Sequence, residues 1–170
     1  MRKILFALVL VTLIGSCKSD DDFIFEIPYG PLDFTVPAGL SVLNFHQFTI
    51  SFDATSILDL ASQGASYNEI LPNTAFIESL TNNDPLGFAQ DISIRICSED
   101  FDNPNCGTEI FWKNPTEFDE STPAGLWPNE NDISSYLESE DVVLKVKFSQ
   151  LRSTTTQELN LFLRLNFVAR

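Results

Sequence analysis

ELNLFLRLNFV, residues 158–168, alternates apolar and polar side chains and decides the fold. The apolar residues at its odd positions are Leu159, Leu161, Leu163, Leu165 and Phe167, whereas Asn160, Arg164 and Asn166 occupy even positions. Successive side chains of a β-strand point to opposite faces of the sheet. The period-two pattern therefore predicts a strand with one buried face.

Other segments of the chain have the same strand character. Residues 142–148 and 92–96 repeat the alternation, and further candidate strands cover residues 23–27, 32–36, 43–52, 75–80 and 109–113. One polar face favours antiparallel pairing, because parallel strands are covered on both sides and read as continuous apolar runs. We predict one all-β domain at residues 23–170, an antiparallel, immunoglobulin-like β-sandwich. The polar span 152–157 is predicted to join the last two strands as a long hairpin.

Helical signals are scarce. Ser56 and Asp59 read as a capping box, and Gly64 is placed to stop the turn that follows, so a short helix is predicted at residues 56–63. Asp132 is expected to cap a second turn at residues 133–137. Both helices would cover the ends of the sandwich instead of forming a separate layer.

The first part of the chain reads as a secretory leader. A basic pair at positions 2 and 3 precedes an apolar run at residues 4–14, and Ile14, Gly15, Ser16 and Cys17 follow. The run is shorter than the roughly 20 apolar residues of a membrane span, so residues 1–16 are expected to be a cleaved signal peptide. The last four residues resemble the lipobox of bacterial lipoproteins. This resemblance implies that Cys17 carries lipid such as palmitate; the alternative is an ordinary secretory signal with a chance cysteine.

Residues 17–22 form the lipidated cysteine and an acidic tether in this interpretation. The run Lys18-Ser19-Asp20-Asp21-Asp22 resembles the export signal that sends lipoproteins of Bacteroidota-type bacteria to the outer face of the outer membrane. It implies a protein that is held to the outer membrane by its N-terminal lipid and faces the cell exterior. The alternative is a solvated spacer, because like charges repel and keep such a block extended.

The net charge limits the classes of partner. The formal charge is −14, and removal of residues 1–16 leaves 8 basic and 24 acidic residues, a charge of −16. No basic stripe is present that could neutralise phosphates, so nucleic acid is not an expected partner. The acidity is typical of a soluble domain that anionic surfaces repel.

Cys97 and Cys106 remain as a pair once Cys17 is assigned to lipid. Between them lies a segment rich in turn-forming residues, with strand-like segments on both sides. A disulfide at the base of a hairpin loop is predicted for an exported chain. Two free thiols or a metal pair are the alternatives.

The same loop carries a candidate metal site. Glu99, Asp100 and Asp102 offer the hard oxygen ligands that calcium prefers. Their spacing departs from the EF-hand pattern, in which a glycine and a twelfth-position glutamate are required. A solvated loop without metal is the alternative.

Aromatic residues suggest a binding surface. Trp127, Phe118 and Tyr136 lie in or beside residues 114–131, which are predicted to be the longest loop, and Trp112 precedes it. Exposed rings with Asn and Asp nearby can form a platform for sugars or peptides. Trp112 is ambiguous, because it alternates with Ile110 and could face the core. The alternative for Trp127 is a ring folded over the end of the sandwich.

Catalytic motifs are missing from the sequence. It has no Walker motif, no G-x-G-x-x-G and no G-x-S-x-G, and its single histidine, His46, falls in phase with apolar strand residues. No cofactor is expected. We expect a non-enzymatic binding, adhesion or envelope-assembly module with a glycan or protein ligand, and the binding hypothesis requires Trp127 to be exposed. The alternatives are a purely structural lipoprotein and a small envelope hydrolase that acts on glycans with a carboxylate pair drawn from Glu117, Asp119 and Glu120.

Overall fold

The computed structural model describes residues 25–64, 66–79, 86–99, 101–114 and 123–170. These residues form eight antiparallel strands and two short helices, which confirms the all-β class. In chain order they are β1 (Phe25–Val36), β2 (His46–Ser51), α1 (Ala54–Gly64), β3 (Ile70–Ser79), β4 (Ala89–Cys97), β5 (Thr108–Lys113), β6 (Ala124–Pro128), α2 (Ser134–Leu137), β7 (Val143–Leu151) and β8 (Leu159–Ala169). Within this part of the chain, no helix is long and apolar enough to cross a membrane.

The strands form one continuous sheet in the order β1-β8-β3-β6-β5-β4-β7-β2, nearly closed like a barrel. The two edge strands approach each other through an aromatic contact, with ring centroids 5.9 Å apart for Phe34 of β1 and Phe48 of β2. Phe52, which directly follows β2, contacts Tyr29 of β1 with ring centroids 4.9 Å apart. The predicted β-sandwich is not confirmed, because β6 pairs with both β3 and β5. It thereby joins one half of the sheet, made of β1, β8 and β3, to the other half, made of β5, β4, β7 and β2. The alternation of apolar and polar residues shows only that each strand buries one face, and this is equally true of a β-sandwich and of a nearly closed single sheet.

The predicted hairpin between the last two strands is wrong. β7 pairs with β4 and β2, whereas β8 pairs with β1 and β3. The connecting segment crosses between the halves and is fixed by buried Thr155. Its hydroxyl donates to the carbonyl of Pro37 at 2.8 Å and accepts from the amide of Leu40 at 3.0 Å.

Consecutive strands run in opposite directions, so the sheet has two distinct ends. The helix end is where β1, β3, β5 and β7 begin, and it carries α1, α2 and the loop between Cys97 and Cys106. The loop end is where the same four strands finish. Strand β1, the first described strand, therefore begins at Phe25 on the helix end.

The boundaries of β1 and α1 differ from those predicted from the sequence pattern. The two strands predicted at 23–27 and 32–36 are one strand, β1, which contains the cis peptide Gly30–Pro31. Helix α1 begins at Ala54 instead of residue 56, because the carboxylate of Asp53 accepts from the Ser56 hydroxyl at 2.5 Å and from its amide at 3.4 Å. The Ser56 hydroxyl is the main cause that lowers the pKa of Asp53.

Helix α2 begins one residue later than predicted, with Ile133 instead of Asp132 at the N-cap position, but Asp132 still accepts hydrogen bonds beside the helix start. Its Oδ1 accepts from the amide of Ser134 at 3.0 Å and also from the amide of Ile70 at 3.1 Å, which ties α2 to the start of β3. Burial would raise the pKa of Asp132, but the hydrogen bonds from Ser134 and Ile70 outweigh it and the pKa is lowered.

The core lies inside the curled sheet. All five odd-position residues of the opening stretch are buried, as predicted. Phe111, Phe148 and Phe167, each fully buried, pack with them and hold the inner faces of the two halves together.

Candidate functional site

Two tryptophans stand side by side on the outer face of the sheet. Trp127 of β6 is the cross-strand partner of Trp112 of β5, and their rings meet edge to face with centroids 4.7 Å apart. Trp127 is 51% exposed, which confirms the exposure that the binding hypothesis requires. Its backbone belongs to a strand, so this ring is carried by a paired element rather than by the predicted loop.

Phe76 of β3 extends this aromatic surface. It is 42% exposed and pairs with Gly125, the residue two before Trp127 on β6. A Cβ atom added at Gly125 would lie 3.5 Å from the Phe76 ring, in ordinary van der Waals contact, so the ring lies directly beside Gly125 of β6. We call Phe76, Trp112 and Trp127 the aromatic face.

A bulge in the β4–β5 ladder directs Trp112 outward. The register shifts between Ile94 and Arg95, and on the facing strand both Ile110 and Phe111 are buried. The extra residue reverses the phase of β5, so Trp112 becomes the partner of Ser93 on the outer face. Trp112, whose direction the sequence left ambiguous, therefore faces away from the core.

A depression lies next to the aromatic face, with a volume of about 470 Å³. Its lining includes Asp91, Ser93, Glu109, Trp112, Lys147 and Ser149. Register explains the grouping, because Asp91 pairs with Ser149 and Ser93 pairs with Lys147 across β4 and β7. We call this feature the Asp91 depression.

Asp91 is the unusual member of this set. Its Oδ1 atom is buried and has no hydrogen-bond partner in the described part of the chain. Desolvation raises the pKa of Asp91, and the positive charge of Arg152 offsets only part of that effect. A buried carboxylate oxygen without a donor costs about 1–3 kcal/mol, and more when the group is charged.

The other charged groups around the Asp91 depression have partners within the chain. Lys147 Nζ lies 4.7 Å from the centroid of the Phe45 ring and 3.5 Å from Asn105 Oδ1. Lys113 Nζ donates to the carbonyl of Gly125 at 3.3 Å. Glu109 Oε1 accepts from Asn129 Nδ2 at 3.1 Å.

Cys97 and Cys106 form the predicted disulfide at the base of the β4–β5 hairpin. The loop that they close folds over the outer face of β7, where Lys145 is only 1% exposed. Lys145 Nζ donates to the carbonyl oxygens of Phe101 and Asn103, the second at 3.1 Å. An ammonium group therefore occupies the position that a bound cation would take beside these carbonyls.

The structure describes two of the three predicted metal ligands. Glu99 and Asp102 are exposed on the loop, and Asp100 lies outside the described residues. Among the residues that the structure describes, no group of three or more His, Cys, Asp or Glu side chains could hold a metal ion.

The structure does not place the remaining predicted ligand-binding residues beside Trp127. Tyr136 is half-buried on α2 and packs against the core. Phe118 lies outside the described residues, as do Cys17 with its tether and the carboxylates Glu117, Asp119 and Glu120. His46 begins β2, where its Nε2 is 2.9 Å from the carbonyl oxygen of Ser41, in line with a structural role.

Phe76 and Asp91 were not predicted as site residues. Phe76 belongs to a segment with plain strand alternation, and only its pairing with Gly125 reveals that it shares the outer face with Trp127. Asp91 reads in the sequence as one polar position of a strand. The surroundings of its carboxylate depend on the neighbouring strands, which the local sequence does not encode.

Comparison with known proteins identifies no family. No family model and no curated protein matches the chain. A chain in the three-dimensional structure of Cocksfoot mottle virus is similar over 92% of this chain and 88% of that chain, with 13% sequence identity and a TM-score of 0.34. A likeness at this TM-score carries no argument about the present chain.

Proposed function

We propose that this protein is a lipid-anchored surface module that binds a glycan through the aromatic face without catalysing a reaction. The observation that carries the proposal is the exposure of Trp127 beside Trp112 and Phe76 on paired strands. Aromatic rings present large, rigid contact surfaces, and sugar rings stack on them through their apolar C–H faces. Hydroxyl, amide and carboxylate groups in the adjoining depression supply the polar contacts that a sugar requires.

The lipid anchor fits the way in which the chain enters the domain. Phe25 lies at the helix end, so a lipid on Cys17 would hold that end nearest to the membrane. Eight residue steps separate Cys17 from Phe25, a reach of about 28 Å when extended. The aromatic face lies on the side of the sheet, so a tethered domain keeps it open to ligands from the medium.

Binding is tested with immobilised neutral hexasaccharides of glucose, mannose and N-acetylglucosamine, and the purified domain 23–170 as analyte. We expect Trp127→Ala to weaken binding about tenfold or more, equivalent to about 1.4 kcal/mol. Phe101→Ala is the matched control, because Phe101 is also an exposed aromatic residue but lies on the disulfide loop at the helix end. Equal affinity of the two variants, or no binding by the wild-type domain, would contradict the proposal.

Lipid attachment is tested separately in cells. Cys17→Ala should abolish fatty-acid labelling and release the protein from membranes, whereas Ser19→Ala should leave both unchanged. Multiple acyl chains anchor a protein stably, whereas a single chain does so only marginally. Protease treatment of intact cells then reports whether the domain faces the exterior. Unchanged labelling of Cys17→Ala contradicts the lipobox assignment.

A carboxylate-dependent hydrolase is the second candidate function. Asp91 and Glu109 line the same depression, and the raised pKa of Asp91 is a property of a general acid. Glycoside hydrolysis would release reducing ends from the hexasaccharides. We expect none, because Glu109 is already paired with Asn129 and the depression is open on a sheet face. Release that is lost in both Asp91→Asn and Glu109→Gln would establish the hydrolase instead.

A further inference from the structure

We propose that the Asp91 depression is a subsite for one uncharged sugar ring, which stacks against Trp112 and donates a hydroxyl hydrogen bond to Asp91 Oδ1. This inference rests on the proposed glycan-binding function and deepens it. It names the residue that selects the ligand, whereas the aromatic face alone would accept many rings.

The buried oxygen of Asp91 is the observation that points to a ligand. Most buried polar atoms of folded proteins have a hydrogen-bond partner, and each exception calls for an explanation. Among the residues that the structure describes, Asp91 Oδ1 has no hydrogen-bond partner, and its residue lines a depression large enough for a small ligand. Because Oδ1 is buried, the Asp91 side chain must turn this oxygen toward the depression, where a hydroxyl donor from a ligand would satisfy it.

The neighbouring side chains match the groups around a sugar ring. Ser149 is the cross-strand partner of Asp91, and Ser93 is the cross-strand partner of both Lys147 and Trp112. Partners across a sheet share a face, so the two serine hydroxyls and the Trp112 ring stand on the same outer surface as Asp91. Serine hydroxyls both donate and accept, as sugar hydroxyls do.

Charge around the Asp91 depression favours an uncharged ligand. Two lysines, Lys113 and Lys147, oppose two carboxylates, Asp91 and Glu109, so the lining carries no net formal charge. Lys147 contacts Phe45 and Asn105, and Lys113 contacts the Gly125 carbonyl, so neither ammonium group is held ready for an anionic sugar. A cationic sugar would meet both ammonium groups at close range.

The test uses tryptophan fluorescence with four soluble probes. The neutral probes are the hexasaccharides of glucose and mannose, and the charged probes are hexagalacturonate and the hexamer of glucosamine. We expect a neutral probe to bind at least tenfold more tightly than either charged probe. We expect Asp91→Ala to weaken that binding about tenfold, and Asp91→Asn to weaken it less, because the amide keeps a carbonyl acceptor.

Asp33→Ala is the matched control, because Asp33 is an exposed carboxylate on the outer side of β1. Asp91→Ala removes a buried oxygen without a partner, so the variant is expected to fold, and circular dichroism checks this. If Trp127→Ala loses binding while Asp91→Ala binds as Asp33→Ala does, the subsite is wrong and the aromatic face stands. Preferred binding of a charged probe also overturns the subsite. Failure of the wild-type domain to bind any probe overturns both proposals.

Discussion

Replacement of Lys145 by methionine should destabilise the protein and release the disulfide loop from the sheet. Lys145 occupies an outward position of β7, opposite Arg95 and Thr49, yet it is 1% exposed because the loop covers it. Its ammonium donates to the carbonyls of Phe101 and Asn103. Methionine keeps the length of the stem and removes these donors.

The expected cost can be worked from these contacts. Hydrogen bonds that involve a charged group contribute roughly 1.5–3 kcal/mol each, so loss of both would cost about 3–6 kcal/mol if nothing relaxed. Water can reach the exposed loop once it loosens, and the variant no longer buries an ammonium group, which offsets part of the loss. We expect a net decrease of about 2 kcal/mol in the free energy of unfolding, a fall of about 4–8 °C in Tm.

Urea unfolding followed by circular dichroism measures this change. Lys147→Met is the matched control, because Lys147 lies two residues further along the same face but is only half-buried. We expect less than about 1 kcal/mol for the control. Hydrogen exchange should also become faster in residues 101–105 of Lys145→Met while the disulfide stays intact. Equal stability of the two variants would refute the idea that Lys145 holds the loop.

Three further predictions concern the same end of the sheet and the Asp91 depression. Replacing both Cys97 and Cys106 by serine should lower the free energy of unfolding by about 3 kcal/mol in urea titrations, because a short cross-linked loop is released. Gly107→Ala should cost about 3 kcal/mol or more by thermal unfolding, since its φ is 60° and an added Cβ would lie 1.8 Å from the Ile96 carbonyl oxygen. Gly39→Ala is its control and should cost only about 1–2 kcal/mol, because its φ is 82° but nothing lies within 4 Å. The raised pKa of Asp91 means that the folded state holds its proton to higher pH than the unfolded state, so wild-type stability should fall relative to Asp91→Asn as pH rises from about 3.5 to 7. A constant difference across that range would show that Asp91 titrates normally.

The fold class could be predicted from the sequence, but the arrangement of strands could not. Alternation identified β8 and β7 because each buries a single face, and that information is local. Pairing is decided by partners far along the chain, such as Ala75 on β3 with Leu165 on β8 and Leu126 on β6. Strand β6 was missed because AGLWP is short and lies among prolines and glycines. Its pairing with both β3 and β5 is what makes the sheet continuous.

The candidate site was predictable only in part, because local sequence does not encode the pairing between distant strands. Exposure of Trp127 could be inferred from its polar and proline-rich surroundings, and the disulfide from two cysteines around a turn segment. The outward direction of Trp112 depends on one extra residue in β5, and the position of Phe76 on the same face depends on the register of β3 with β6. Neither effect leaves a periodic signal in the sequence.

The aromatic face runs across the strands, and its direction limits how a ligand could approach an anchored domain. Trp127 follows Leu126, whose partner is Ala75, and Ala75 is level with Leu165 and Tyr29 across the next strands. The aromatic face therefore spans β3, β6 and β5 about four residues, or about 13 Å along the strand, from Phe25, where β1 begins. When the strands are perpendicular to the membrane, a sugar chain bound along the aromatic face runs parallel to the membrane. Such a site can engage the side of a long glycan and does not require its end.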